Sequence, residues 1–467
     1  MSEPAFRELS HSADDLTLLA RLYEELYEPE FPDPDERESL ENMQHYLQLK
    51  QQGWYGPNNY HIVVLSAEAV PVGLSISDYL AEPKAGMIEF LVIADAARGG
   101  GFGAKLLAHT EALLAQDAAR NGEALSCIAA EMNDPFKSPL DDSLDPFVRA
   151  RVWGDWGYSR LDFPYEQPAL AADKGPVKNL LLMAKPVRRD LASYPSTLVK
   201  NILRNYMIWA MRIPEPRESP VYRAMSAYLD KNTNIGTQHL GAYVGHDPGR
   251  PLHVREVADQ DDPDRRAVIA VYRQSFPGGR TDIKPEDFAR AQRQPGYHLW
   301  AIRSTEFAPV EGMASFFGFA PAGFGGYIAL AGSLRHTGRF ALLLARMEER
   351  MRRDFPGAHG LFIECDPEKQ GLFRHFGFRT VEIAYRQPPL PGANAYAVKD
   401  APPLSLMYKA FGRNYGDPVL AVADFLDAMR AIFVSVYDIA DPDGSAFFAD
   451  LKAPTSMWAH NIVRFRS

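Results

Sequence analysis

The apolar positions change period along the chain, and they do so twice in the same order. Leu16, Leu19, Ala20, Leu22 and Tyr23 fall at helical spacing and are followed by a Pro-containing loop. Three β-branched or aromatic runs come next, over 60–66, 72–79 and 86–93, bounded by Pro, Gly and Ala-Asp as strands are. After a glycine-rich turn, Gly103, Leu106, Leu107, Thr110, Leu113 and Leu114 return to helical spacing. A strand over 125–131, a helix over 145–155 and a last strand over 180–185 complete the first half. The second half repeats the phases, with Val268, Ile269, Val271 and Tyr272 in its opening helix and Phe340, Leu343, Leu344, Met347 and Met351 after its turn. It ends on a strand over 360–364, a helix over 369–375 and a strand over 404–409. This order is not a simple alternation of strand and helix. It predicts the α/β (α+β) class, with a mixed central sheet flanked by helices in each half.

Residue matches support a duplication with a period far longer than that of a solenoid. Tyr60-His61 recurs as Tyr297-His298, and the turn beginning at Arg98 recurs at Arg335, both at an offset of 237. Trp156-Gly157-Tyr158 matches Phe376-Gly377-Phe378, and Tyr165-Glu166-Gln167-Pro168 matches Tyr385-Arg386-Gln387-Pro388, at an offset of 220. The shrinking offset assigns extra residues to the first half, mostly at 137–146, an acidic loop carrying Asp141, Asp142 and Asp145. Apolar helical segments follow each half, over 196–212 and 419–437. The stretch 241–251, with three glycines and two prolines, reads as a linker. The expected organisation is a domain at 1–187, a helical extension at 188–240, a second domain at 251–410 and a second extension at 411–467.

Composition narrows the classes. At 467 residues the chain should hold two to four packed units. No stretch approaches the ~18 uninterrupted apolar residues of a membrane helix, so no membrane partner is expected. Fifty Lys plus Arg against 60 Asp plus Glu, a formal charge of −10, argue against nucleic-acid binding and suit a cationic ligand. Two cysteines, Cys127 and Cys365, have no metal-ligand spacing, so no metal is expected. The first residues lack a basic segment followed by an apolar one, which predicts a cytoplasmic location.

Arg98-Gly99-Gly100-Gly101-Phe102-Gly103-Ala104 lies between a predicted strand and an amphipathic helix. A helix N-terminus offers free N–H groups and a positive dipole end, and glycines let an anion approach them. Gly99-x-Gly101-x-x-Ala104 also satisfies a dinucleotide fingerprint, but that fingerprint usually opens its domain, whereas roughly a hundred residues precede it here. A strand followed by Arg-x-x-Gly-x-Gly/Ala and a helix resembles the acyl-CoA diphosphate motif of the GNAT superfamily of N-acetyltransferases. The segments 88–93 and 153–158 resemble the neighbouring parts of that family.

The resemblance implies acetyl-CoA, or another acyl-CoA, as co-substrate, held by Arg98 to Ala104, and a small-molecule amine as acceptor. It implies an oxyanion site at the backbone of Leu91, Val92 and Ile93, and a base at Glu89. Asn133 is a candidate to hydrogen-bond the pantetheine arm. Relatives place an acidic tyrosine where this chain has Trp153 and Phe373, so Tyr158 is the candidate acid. In the second half Gly103 becomes Phe340 and Glu89 becomes Gly326, so the first half is expected to hold the active site and the second to be degenerate. The alternatives are a non-catalytic CoA-binding scaffold, or a GNAT-fold enzyme that uses carrier-protein thioesters or decarboxylates an acyl-CoA. His61 and His298, on apolar strands, read as core histidines.

Overall fold

The computed structural model describes residues 3–140, 142–169, 174–187, 192–276 and 285–466. The chain divides into two units: Met1–Asp134 with Asp141–Leu240, and Pro135–Leu140 with Gly241–Ser467. Asp141 lies outside the described residues.

The strands of the first unit are β1 (Ala5–Glu8), β2 (Asn59–Ala67), β3 (Val70–Leu80), β4 (Ala85–Ile93), β5 (Cys127–Asn133), β6 (Ser159–Leu161), β7 (Leu180–Pro186), β8 (Ser193–Pro195) and β9 (Asn234–His239). Those of the second are β10 (His253–Glu256), β11 (Tyr297–Arg303), β12 (Gly312–Phe317), β13 (Ala322–Leu330), β14 (Gly360–Cys365), β15 (Arg379–Val381), β16 (Ser405–Ala410) and β17 (Phe465–Arg466). The sheets run β1-β2-β3-β4-β5-β7-β6-β9-β8 and β10-β11-β12-β13-β14-β16-β15-β17. The first seven positions of each are therefore the same fold written twice. Every pairing is antiparallel except β4 with β5 and β13 with β14, so both sheets are mixed, as the pattern predicts.

The long strands and the glycine-turn helices stand where the periodicity puts them. Phe102–Arg120 buries Leu106, Leu107, Thr110, Leu114 and Ala118 on one face, and Arg339–Asp354 buries Leu343, Leu344, Met347 and Met351. Each buried Leu contributes about 1.5–3 kcal/mol by leaving water. Strands of two to six residues such as β1, β6, β8, β9 and β17 were not anticipated, because so few positions carry no readable period.

The helical extensions are part of the cores. Ser196–Trp209 buries Val199, Ile202, Leu203, Tyr206 and Met207, at helical spacing, among sheet residues Cys127, Ala129 and Leu182. In the second unit Val422–Ser435 does the same with Phe425, Met429, Ile432 and Phe433 against Phe362, Leu406 and Tyr408. The loop over 137–146 also has structural duties. Pro135–Leu140 belongs to the second unit, where Arg352 donates to the carbonyls of Phe136 and Ser138. Asp142 pairs with Arg149 at 2.6 Å, and Asp145 caps the helix Pro146–Asp155 through Phe147 N and Val148 N.

Candidate active site

In the first unit the parallel ladder between β4 and β5 stops at Ile88 and Ala130. From there Phe90 to Ile93 pair on the β3 side alone, so the edge that faced β5 presents backbone groups with no ladder partner. The same happens in the second unit after Gly325 and Ile363. The register with β3 steps from Ser77↔Ile88 to Ile76↔Phe90, which makes Glu89 the extra residue of a β-bulge. A bulge beside a strand split re-aims one side chain at the opening.

At the far end of β4, Arg98 Nε donates to Ile93 O at 3.2 Å, and its guanidinium also meets Glu30 (2.5 Å), Asp95 and Ser143 O. Arg335 Nε donates to Leu330 O at 2.7 Å in the same way. The arginine thus braces the turn to its strand in both units. Gly99 (φ 80°) and Gly101 (φ 74°) are in the left-handed region that favours glycine. A Cβ on either would meet nothing within 4 Å, so the ground above this helix N-terminus is open. Gly101 caps the helix without a side-chain hydrogen bond, leaving the first N–H groups, among them those of Phe102, Gly103 and Ala104, for an anion. Gly103 has a separate reason: its Cβ would lie 3.0 Å from the Trp156 ring. This cradle fits a diphosphate.

The second copy is filled. Phe340 stands at the position of Gly103, its ring 4.5 Å from that of Phe376, the counterpart of Trp156. Gly338 keeps the left-handed cap (φ 79°), but the Arg250 guanidinium, held by Asp247, lies against it.

Glu89 is half-buried, yet its Oε1 is covered and has no donor. Its neighbour Asp78 is 1% exposed and stands opposite Met87 on the same sheet face. Burial, then the neighbouring Asp78 carboxylate, hold Glu89 well above the usual carboxylate range. Sequence reasoning passed over Asp78, which sits inside an otherwise apolar and hydroxyl-bearing strand. It also passed over Arg212, in the extension. Arg212 has φ 55°, and its guanidinium packs over Tyr46 (4.4 Å) and Trp54 (4.2 Å) and donates to Tyr55 OH at 2.6 Å.

On β5, just past the end of the ladder, Glu131 accepts hydrogen bonds from Tyr165, Gln167 (3.0 Å) and Tyr206 (2.9 Å). Burial pushes it up to about 7 despite those bonds. Glu364 on β14 repeats the arrangement with Tyr385, Gln387 and Tyr437, and burial raises it too.

Asn133 lies at the end of β5 and donates to Glu36 at 3.2 Å. Tyr158 is fully buried, and its hydroxyl donates to Glu111 at 3.0 Å, where Lys185 also binds. Burial raises its pKa well above the ordinary tyrosine value, so the phenol is a poor acid, and its proton is already engaged by Glu111. His61 is buried between Glu8 and Asp117, 2.6 Å from each, and His298 between Glu256 and Asp354 at 3.1 and 2.9 Å. Both are core histidines with partners.

A split parallel pair, a strand bulge and an open helix N-terminus thus meet along one strand. Residues 19–134 match the family described as "Acetyltransferase (GNAT) family", and the second unit repeats the strand order of the first. The family uses acyl-CoA. Among solved structures the chain is similar to a GNAT-family acetyltransferase of Bacteroides thetaiotaomicron, at 18% identity over 40% of this chain and 99% of that one, with a TM-score of 0.31. It is similar to a tandem GNAT protein from the clavulanic acid biosynthesis pathway, at 13% identity over 88% of this chain and 100% of that one (TM-score 0.28). A third is a PaiA N-acetyltransferase of Thermoplasma acidophilum in complex with coenzyme A, at 13% identity over 40% and 99% (TM-score 0.27). No curated protein sequence matches. No helix among the described residues is long and apolar enough to cross a membrane.

Proposed function

We propose that the first unit transfers an acyl group, most simply acetyl, from acyl-CoA to the amine of a small molecule, and that the second unit has no acyl-CoA site. The observation that carries this is the open cradle of Gly99, Gly101 and Gly103 at the end of the strand that bears Glu89. Bound acyl-CoA supplies a thioester carbonyl carbon. The backbone N–H groups of Phe102 to Ala104 hold its diphosphate, with Arg98 fixing the turn in which they lie. The freed edge at Leu91, Val92 and Ile93 offers N–H groups to the carbonyl oxygen, where negative charge develops. Asn133, across the split, lies on the path of the pantetheine arm. Glu89 faces the amine, which must give up a proton before it attacks.

Titration with acetyl-CoA tests the reading. Wild type should bind, and Arg98→Ala should bind more weakly. A panel of amines, followed by thiol release, then separates an enzyme from a scaffold. No binding by wild type would sink the proposal.

A further inference from the structure

Asp78 is a buried acid for which acyl-CoA binding has no use. It shares a sheet face with Glu89, each acid bears on the other's proton affinity, and Asp78 Oδ2 and Glu89 Oε1 stay covered without a donor. Two carboxyls buried side by side are held together best by one shared proton. The neighbours decide where it rests. Arg212, His61 and Lys50 are the cations whose fields reach Asp78, whereas Glu89 feels Asp78, Glu38 and Glu131. The phenols whose charge would be felt by the pair, Tyr46 from the helix Leu40–Gln51, Tyr55 from the turn after it, Tyr60 opposite Asp78 on β2 and Tyr206 from the extension, all keep their protons because burial raises them. The proton therefore sits on Glu89 and the charge on Asp78. Glu89 is half-buried and Asp78 is covered, so an entering group meets Glu89 first.

We propose that Asp78 and Glu89 form a two-carboxyl proton relay and that the acceptor enters as an ammonium ion. The ammonium gives a proton to the Glu89 carboxyl, and the proton held between the carboxyls passes to Asp78. One N–H bond breaks as an O–H bond forms at Glu89, and the older Glu89 O–H bond breaks as one forms at Asp78. The amine, now with its lone pair, attacks the thioester carbon. A C–N bond forms, the C–S bond breaks, the second nitrogen proton goes to the departing sulfur, and the pair returns its extra proton to water. Ammonium and thioester thus become amide, thiol and one proton. The inference rests on the acyl-transfer reading of this site and adds to it a second carboxyl, Asp78, as the place where the amine's proton is stored. Asp78 acts through Glu89 and is a positioning residue.

The test is thiol release from acetyl-CoA with an aliphatic amine, measured from about pH 5 to about pH 9. In Asp78→Asn the rate near neutral pH should fall about 10²-fold and recover at higher pH, because the base must then be Glu89 itself, ionising in a buried place. Asp78→Glu should keep the wild-type profile, and Glu89→Gln should be inactive at every pH. A wild-type profile in Asp78→Asn, or a loss that is the same at all pH values, would overturn the relay. Infrared spectra of the free protein give a readout independent of turnover. The band of a protonated carboxyl should be weaker in Glu89→Gln than in wild type at neutral pH, and in Asp78→Asn it should vanish at lower pH than in wild type. Identical spectra for wild type and Glu89→Gln would also overturn it. If wild type fails to bind acetyl-CoA, the acyl-transfer reading falls, while the spectra still decide whether the pair shares a proton.

Discussion

At matching points of the two sheets, some polar clusters are kept and others are gone. Glu131 with its two tyrosines and glutamine is matched by Glu364 with Tyr385, Gln387 and Tyr437; Glu111 with Lys185 is matched by Glu348 with Lys409; His61 is matched by His298. By contrast Glu89 meets Gly326, and Asp78, read through the strand register, meets Phe317. Gly103 beside Trp156 becomes Phe340 beside Phe376. What survives in both copies holds strands and helices together. What survives in one copy is the open glycine cradle and a pair of acids with covered oxygens that lack a donor. The second unit therefore serves as an internal control, separating the residues this fold needs for its shape from those that need a further explanation.

Four experiments would sharpen or break that comparison. The largest effect should come from Glu348→Ala, which leaves the ammonium of Lys409, side chain 10% exposed, without its carboxylate. We expect a loss of about 3–5 kcal/mol in chemical unfolding of the second unit. Glu111→Ala, where the side chains are 18% and 32% exposed, should lose about 1 kcal/mol. No loss in either variant would end the claim that the pairs kept in both copies hold strands and helices together.

Glu131→Gln comes next. The folded-state pKa of about 7 is above the ordinary 4.5, so this carboxyl favours folding most below 4.5, and the contribution is lost as pH rises to about 7. Wild type should lose stability relative to the variant by on the order of 3 kcal/mol across that window. A difference independent of pH would mean that Glu131 is not held protonated.

Gly103→Phe should weaken acetyl-CoA binding roughly tenfold or more, about 1.4 kcal/mol, with the fold intact by circular dichroism. Normal binding would remove the argument that Phe340 closes the second site. The smallest effect concerns His61. Burial opposes its charge, but hydrogen bonds to Asp117 and Glu8 raise its pKa above 6.5, so its stabilisation is full below 6.5 and fades as pH rises through the folded value. Glu8, held down to about 2 against its burial by His61 and Lys50, contributes above 4.5 and loses that as pH falls toward 2. Thermal melts of His61→Gln should lack the alkaline part of this profile.

The duplication, the mixed sheets and the glycine turn were legible because long strands and helices repeat their periods and because Gly103 and Phe340 can be set side by side in one chain. Glu89 was legible from its place before the turn. Its partner was not: Asp78 is one acid in a strand whose period says nothing about a bulge on the neighbouring strand, and that bulge is what turns Glu89 toward it. Arg212 and Tyr206 were missed for another reason. Tyr206 lies on, and Arg212 just past, a helix that reads as an ordinary amphipathic segment, and nothing in its sequence says which face of the sheet it covers. The acidic loop was read by its charge, whereas Asp142 and Asp145 spend theirs on Arg149 and a helix cap.

Tyr206 and Tyr437 bear on the history of the chain. Each comes from the extension of its own half and closes the same buried glutamate cluster. The segment that was copied therefore already carried its tail, and the tail was engaged with the sheet before the copies diverged. A piece ending near residue 187 is not a smaller ancestor of this protein, and as a recombinant fragment it would leave Glu131 without one of its donors and Asp78 without Arg212. The shortest unit that keeps its chemistry whole runs to Leu240.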